Sequence, residues 1–492
     1  MQNLQIVDEA NALFLGKFKK FSSLFLSLGC LLGFLLIFIL AGCGGESSSN
    51  SGTRDHSTGE YTINFYDSNL DFNQSIVILS EEIDLAQLIT DYDLPTPLYE
   101  ANSSIDISTY TNYSITGNVN FYGIPNVQEI QTGVELNNIR NNLSGKYILL
   151  DDIALNEILN TAAGWTPIGD ITNGFTGIFN GNNHKIIGLY ANVYSYSTHV
   201  GLFGHISKAQ IKNLGVEIDN LNGGVKGQQL QQNVGGIAGF VNGSSITNSY
   251  TTGDVSGGNG VGGIAGYIGY NSNITNSYST GNIKGVDLVG GIAGMIYSGG
   301  NIINSHSYGN ISGTRQVGGI VGQTANYGSN NIINSHSTGN VKGTYYIGGI
   351  TGSFDGGNSN ISIINSYSTG NISGDQWVGG IAGLTFRRIT NSYSTGDING
   401  TYYIGGVVGY SSPNSNITNS YSTGNVNGDT YVGGITGEFY RGTMQHNVAI
   451  NQAINGNNAN RIVGNIHVDN IGGGTLSDNI ALDSMLVNGS DI

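Results

Sequence analysis

At 492 residues the chain has room for two or three compact domains, or for one domain and an array. It contains 78 Gly and only 5 Pro, and just 10% of it is Asp, Glu, Lys or Arg, against about 25% in ordinary globular domains; with no three-residue Gly period, this excludes collagen, a charged disordered chain and an ordinary helical domain. The net charge of −16, from 33 acidic and 17 basic residues, argues against nucleic acid or anionic lipid as a partner, because phosphate binding needs clustered Lys and Arg.

The first element in chain order is an export signal. Lys17, Lys19 and Lys20 precede an uncharged apolar run over residues 21–40, which closes on Leu40-Ala41-Gly42-Cys43. A basic flank, an apolar stretch and small residues at its end describe such a signal. The closing tetrapeptide resembles a bacterial lipobox, which implies that Cys43 becomes the acylated first residue of the mature protein and holds it to a membrane. The alternative is an uncleaved anchor, since 20 apolar residues reach across a bilayer core of about 30 Å. Either way the remainder lies outside the cytoplasm. The sixteen residues before Lys17 are long for such a signal, which leaves a start further along the chain open. The lack of Asp after Cys43 resembles the outer-membrane sorting pattern, so the expected location is the bacterial envelope, at the outer membrane or cell surface. The two cysteines are Cys30 and Cys43, so the mature chain has no thiol for a disulfide, a thiolate metal site or a Cys nucleophile.

Residues 44–59 are small, polar and aperiodic, the composition of a flexible tether. Residues 60–127 alternate weakly, as in Tyr61 to Tyr66 and Ser114 to Tyr122, and predict a small β-rich module, with a helical turn or two between Glu81 and Leu94.

Self-similarity dominates the remainder of the chain. The motif Val/Ile-Gly-Gly-Ile/Val-X-Gly begins at Val234, Val261, Val289, Val317, Ile347, Val378, Ile404 and Val432, with a period of 26 to 31 residues. Between copies runs a second motif of the form ITNSYSTGNIKG, beginning at Ile246, Ile274, Ile302, Ile332, Ile363, Ile389 and Ile417. Gly or Asn recurs too often for a helix to propagate, and β-branched residues favour short strands. A fixed period of short strands and turns predicts stacked coils, each strand pairing with its equivalent about 4.8 Å away. Asn248, Asn276, Asn304, Asn334, Asn365, Asn391 and Asn419 then form one ladder, and Tyr250, Tyr278, His306, His336, Tyr367, Tyr393 and Tyr421 a neighbouring column. The Gly-Gly pairs permit either positive φ or close backbone approach at corners.

These motifs resemble the GLUG repeats of bacterial surface proteins, whose Gly-Leu-Phe-Gly element stands here as Gly201-Leu202-Phe203-Gly204. The resemblance runs over residues 128–475. It implies a β-solenoid on a bacterial surface, often in adhesin-like proteins, joined in some relatives to an immunoglobulin A metallopeptidase domain. The expected architecture is therefore all-β: a right-handed-type β-solenoid, or β-helix, of about 28-residue coils preceded by a small β-rich module. Its expected divisions are a signal peptide at 1–43, the tether at 44–59, the module at 60–127, an opening solenoid segment with the GLFG element at 128–230, the repeats at 231–443, and a C-terminal cap and tail at 444–492.

Chemistry is sparse. None of the eight His stands in a His-Glu-X-X-His arrangement, so the peptidase activity of some relatives is not carried over. The repeats lack the Asp of calcium-binding β-rolls. Asp151-Asp152 and the cluster Glu81, Glu82, Asp84, Asp91 and Asp93 read as solvated surface, and His306 and His336 as column fillers. No catalytic residue, metal site or cofactor is expected. The candidate binding feature lies just before each Gly-Gly pair, where Gly260, Leu288, Gln316, Tyr346, Trp377, Tyr403 and Tyr431 align. Its aromatic members, Tyr346, Trp377, Tyr403 and Tyr431, would form a strip able to stack on sugar faces or on a partner protein if exposed, and would pack a corner if buried. The expected function is that of an adhesin or binding scaffold, monomeric, holding the membrane through Cys43 and a glycan or host or matrix protein through one solenoid face. The alternative is a passive spacer or shield, and less favoured is a polysaccharide-active β-helix enzyme, which needs a charged cleft.

Overall fold

The computed structural model describes residues 60–491 apart from 80, 160–163, 194–198, 220–224, 228–231, 326–327, 356–360 and 468–473. The expected signal, Cys43 and the tether lie outside the described residues.

Short strands dominate because every few residues a Gly, Asn or Ser turns the chain. In one coil, Ala265–Gly269, Asn273–Thr275, Tyr278–Ser279, Ile283–Lys284 and Asp287–Gly290 come in order. Each pairs in parallel with its equivalent one period on. Among the described residues the strands of the solenoid build four sheets of 10, 13, 12 and 19 members, the last taking two strands from most repeat coils and the single strand Val426–Gly433 from another. This is the all-β solenoid that the repeats predict, with equivalent residues 26 to 31 positions apart.

Aliphatic columns fill the interior. Ile264, Ile292, Ile320, Ile350, Ile381, Val407 and Ile435 form one, and Ile274, Ile302, Ile332, Ile363, Ile389 and Ile417 another, all fully buried. A one-residue slip would turn these side chains outward, so the pattern pins the register.

The Gly-Gly pairs resolve to close approach. Neither residue of the pair Gly290 and Gly291 has positive φ. A Cβ on Gly291 would overlap the Ser307 hydroxyl and the Gly319 carbonyl of the next coil, and a Cβ on Gly290 the Ala293 carbonyl. Positive φ falls instead on the Asn column, where residues from Asn248 to Asn419 hold φ of 49–52°, a region that Asn tolerates better than other side-chain-bearing residues. Their amides form the expected ladder: Nδ2 of Asn276, Asn304, Asn334, Asn365 and Asn391 each donates to Oδ1 of the Asn one coil earlier at 3.1 Å. Inside it runs a buried Ser ladder, in which the Ser277 N–H donates to Ser305 Oγ and the Ser305 N–H to Ser335 Oγ, both at 3.2 Å.

Residues 128–218 form the opening coils, whose core is aromatic: Tyr147, Trp165, Phe175, Phe179 and Phe203 are buried together. The Trp165 indole N–H donates to the Leu202 carbonyl at 2.9 Å.

At the other end, the segment expected to cap the array is itself a coil. Val448–Ala449, Ala453–Asn460 and Val463–Ile466 extend three of the sheets. A further coil lies beyond, closing on an antiparallel pair, Leu486–Val487 with Ser490–Asp491. The motif fades because its side chains change while its backbone does not. His446 and Asp478 take over the positive-φ corner of the Asn column, at 55° and 53°, and Asn447 replaces the ladder Ser, accepting from the Ser420 N–H at 3.0 Å.

The module before the solenoid belongs to the same compact unit, Thr58–Ile492. Its strands β1 (Tyr61–Tyr66) and β2 (Phe72–Ile78) pair antiparallel, and β1 pairs in parallel with Val119–Tyr122. The helical turns expected near residue 85 are a helix, α1 (Leu85–Tyr92), capped by the Asp84 side chain. The module docks on the opening coils. Tyr66, Leu70 and Tyr122 share a buried cluster with Val127 and Ile148, Lys212 Nζ reaches Asp71 at 2.6 Å, and Asn180 donates to the Leu70 carbonyl.

Candidate functional site

The aromatic column forms because each coil carries one left-handed residue just before the Gly-Gly pair. Gly260, Leu288, Gln316, Tyr346, Trp377, Tyr403 and Tyr431 all have φ between 53° and 62°. Tyr345 pairs with Gln376 and Ile347 with Val378, so Tyr346 and Trp377, one on each strand, interrupt the ladder without shifting its register. Gly260 adopts this conformation without strain, whereas a side-chain-bearing residue costs about 1–2 kcal/mol there.

Ring stacking offsets that cost. Tyr346 and Trp377 lie 4.6 Å apart at 5°, Trp377 and Tyr403 6.0 Å at 5°, and Tyr403 and Tyr431 5.3 Å at 22°. Such pairs contribute about 0.5–1.5 kcal/mol each. All four expected site residues are thus brought into one column, and all are half-buried.

The stacking decides what the column can offer. Trp377 and Tyr403 each have a ring on both sides, so their faces are occupied and edges and hydroxyls remain for a partner. A strip of open ring faces, as needed for sugar stacking, is not what the geometry presents. Beside it, Tyr402 is 43% exposed, and Tyr410 meets Tyr403 edge-on at 6.0 Å. Burial, helped by Glu438, holds the Tyr403 hydroxyl above its ordinary pKa, so it stays a donor. Glu438 is itself raised by burial, against the pull of His467 at 3.8 Å.

The Tyr and His column is a second stack. His306 and His336 lie 3.9 Å apart, and His336, Tyr367, Tyr393 and Tyr421 continue it at 4.6 to 4.8 Å with interplanar angles of 2–4°. Burial pushes both imidazoles down, His336 to about 4 with His306 adding to it, so both are neutral at neutral pH. They fill the column as the sequence predicts.

The carboxylates singled out in the sequence are taken up locally. Asp84 caps α1, Asp91 accepts from Gln87 at 2.7 Å, and Asp152 accepts from the Lys185 N–H at 3.0 Å. Among the described residues no three His, Cys, Asp or Glu side chains converge as metal ligands, and no helix is long and apolar enough to cross a membrane.

The repeats and motifs of the sequence do not anticipate a polar cleft between the module and the opening coils, lined by Asn64, Asn120 and Glu129 among others. The signal available was the two-residue spacing of Asn118 and Asn120 on one short strand region, which places both amides on one side.

Comparison with known proteins agrees on the repeats. The family described as the GLUG motif matches residues 231–256, 257–284 and 400–427, and these are GLUG repeats. A candidate Gly-rich membrane protein of Evansella cellulosilytica is 38% identical over 94 residues, 18% of this chain and 11% of that protein. Halomucin of Haloquadratum walsbyi is 32% identical over 159 residues, 31% of this chain and 2% of its own length. The chain therefore spans only a small part of these curated relatives. Among solved structures, a candidate immunoglobulin A1 protease from Bacteroides ovatus aligns over 73% of this chain and 84% of its own at 19% identity and a TM-score of 0.36. An IgA1 protease aligns over 74% and 23% at 15% identity and a TM-score of 0.32.

Proposed function

We propose that this chain is an envelope-surface repeat protein whose solenoid is a structural stalk, tethered through a lipid on Cys43. The observation that carries this reading is that the repeated side chains are spent on one another. The Asn amides donate along their own ladder at 3.1–3.2 Å from Asn248 to Asn419, and the rings of the aromatic column, the ridge, cover each other's faces. A surface built that way stabilises an elongated stack and leaves little repeated chemistry for a ligand. The names of the relatives, a Gly-rich membrane protein and Halomucin, support a place at the cell surface.

The test has two parts. Cells fed labelled palmitate should label the wild-type chain and not Cys43→Ala, and surface antibody should reach the repeats on intact cells. Label that persists in Cys43→Ala removes the lipid anchor; antibody that reaches the repeats only after lysis removes the stalk.

Adhesion through the ridge is the second reading, favoured by the exposure of Tyr402 and the hydroxyls beside it. Binding of the full chain to a glycan or matrix-protein array that Trp377→Ala with Tyr403→Ala abolishes would establish it; binding by neither form leaves the stalk.

A further inference from the structure

The polar cleft encloses about 660 Å³ where the module meets the opening coils, within the range of about 300–1,000 Å³ common for small-molecule sites. Its lining is unusual for such a site. Five side chains are amides, from Asn64, Asn118, Asn120, Gln131 and Asn182, two are carboxylates, Glu100 and Glu129, and one is the imidazole of His184, which lies 3.3 Å from Asp152; no Lys or Arg lines it among the described residues.

The floor is preorganised. Asn64 Nδ2 donates to Asn120 Oδ1 at 2.9 Å, Asn120 Nδ2 donates to Glu129 Oε1 at 2.9 Å, and the Tyr122 hydroxyl donates to the same oxygen at 2.6 Å. Both bonds fall on Oε1, which leaves Oε2 of Glu129 as an acceptor for a ligand. On the far wall Asn182 Nδ2 donates to the Leu149 carbonyl at 3.2 Å, fixing that amide. The Asp71 to Lys212 ion pair at 2.6 Å, with Lys212 nearly buried, holds the two walls together.

We infer that this cleft binds a neutral saccharide. Each amide carries donors and an acceptor, which matches sugar hydroxyls that both donate and accept. The carboxylates add acceptors for paired hydroxyls and repel anions, with no Lys or Arg in the lining and the His184 imidazole turned to Asp152. An ammonium group, which only donates, would pair with the carboxylates and leave without a partner the amide hydrogens that the floor and far wall do not already use, a loss on desolvation. The site is distinct from the aromatic ridge and does not depend on the stalk reading.

The full chain is titrated with a panel of neutral hexose and N-acetylhexosamine oligosaccharides, first on an array and then by calorimetry, alongside putrescine. The expected result is binding of at least one oligosaccharide, weakened about tenfold or more by Glu129→Gln and by Gln131→Ala. Gln131 is exposed, so its variant should unfold at the wild-type temperature and report on binding alone. The inference is overturned if no oligosaccharide binds at millimolar concentration, if both variants bind as wild type does, if putrescine binds in their place, or if Trp377→Ala removes the binding while Glu129→Gln does not.

Discussion

The opening coils and the repeat coils share one backbone plan and are held by different means. Residues 128–218 bury unlike aromatic side chains, with Phe203 5.0 Å from Phe175 and 5.6 Å from Phe179, in contacts that occur once. From residue 234 onward most interior columns repeat one aliphatic side chain per coil, one column varies through Ile296, Thr324, Phe354, Thr385 and Ser411, and the rungs outside are copies of each other. The first arrangement is a packed core that ends the stack; the second is a lattice that can be lengthened or shortened by a period. Stability in such an array is close to a sum of coil and interface contributions, so loss at one repeat stays local, while loss in the opening coils uncovers the end of the stack.

The largest expected effect tests the opening coils. Phe203→Ala leaves a cavity among fully buried rings and should cost about 3–5 kcal/mol, read as a shift in the urea midpoint. Ile292→Val, one methylene in the repeat core, should cost about 0.5–1.5 kcal/mol. Equal shifts would erase the contrast between the regions.

Acid should weaken both regions by the same route. Burial holds His199 in the opening coils and His336 in the repeats at about 4, so both are neutral when folded. The unfolded chain, with His near its ordinary value of about 6.5, takes up protons first. The stability from these groups is therefore present above about pH 6.5 and is lost as pH falls toward 4. Urea midpoints across that range should fall in wild type, and less in His336→Tyr, which restores the column's commoner residue. An unchanged slope in that variant would place the acid sensitivity in the opening coils.

A smaller effect separates the two duties of the Asn ladder. Asn334 accepts from Asn365 and donates to Asn304, both at 3.1 Å, while holding φ at 52°. Asn334→Gly keeps the conformation and loses the rungs, about 0.5–1 kcal/mol for an exposed pair. Asn334→Ala should lose about 1 kcal/mol more from the left-handed backbone. Matching unfolding midpoints would mean that the corner conformation carries no weight.

Removing a whole coil should change the length of the stack and leave its fold as it is. Deleting residues 289–316 joins Leu288 to Val317 in register, since Val261 pairs with Val289 and Val289 with Val317. The product should fold, shortened by about 4.8 Å, as small-angle scattering would show. A chain that fails to fold would deny the lattice description.

Recurrence makes the repeats legible: eight Gly-Gly motifs and seven Asn rungs align without coordinates, and the Asn ladder, the Tyr and His stack and the all-β coil come with them. The C-terminal coils read as a cap in the sequence because His446, Asn447 and Val448 replace Asn, Ser and Tyr on an unchanged backbone, so the side-chain signal stops before the structure does. Alignment finds the residues of the aromatic column but not how their rings stack, which depends on the left-handed conformation that each of them holds.

The sequence by itself determined the period, the strand content, the aliphatic columns and the composition of every ladder, because a one-dimensional stack repeats its neighbours and each coil's requirements are written in each copy. Only the tertiary structure decided which Gly relieves a backbone contact and which corner bears positive φ, that the rings of the aromatic column stack on one another, and that residues 60–127 dock on the opening coils to form a cleft. Those outcomes depend on contacts between segments far apart in the chain, such as Asp71 with Lys212 and Asn64 with Asn120, for which no local pattern carries a signal.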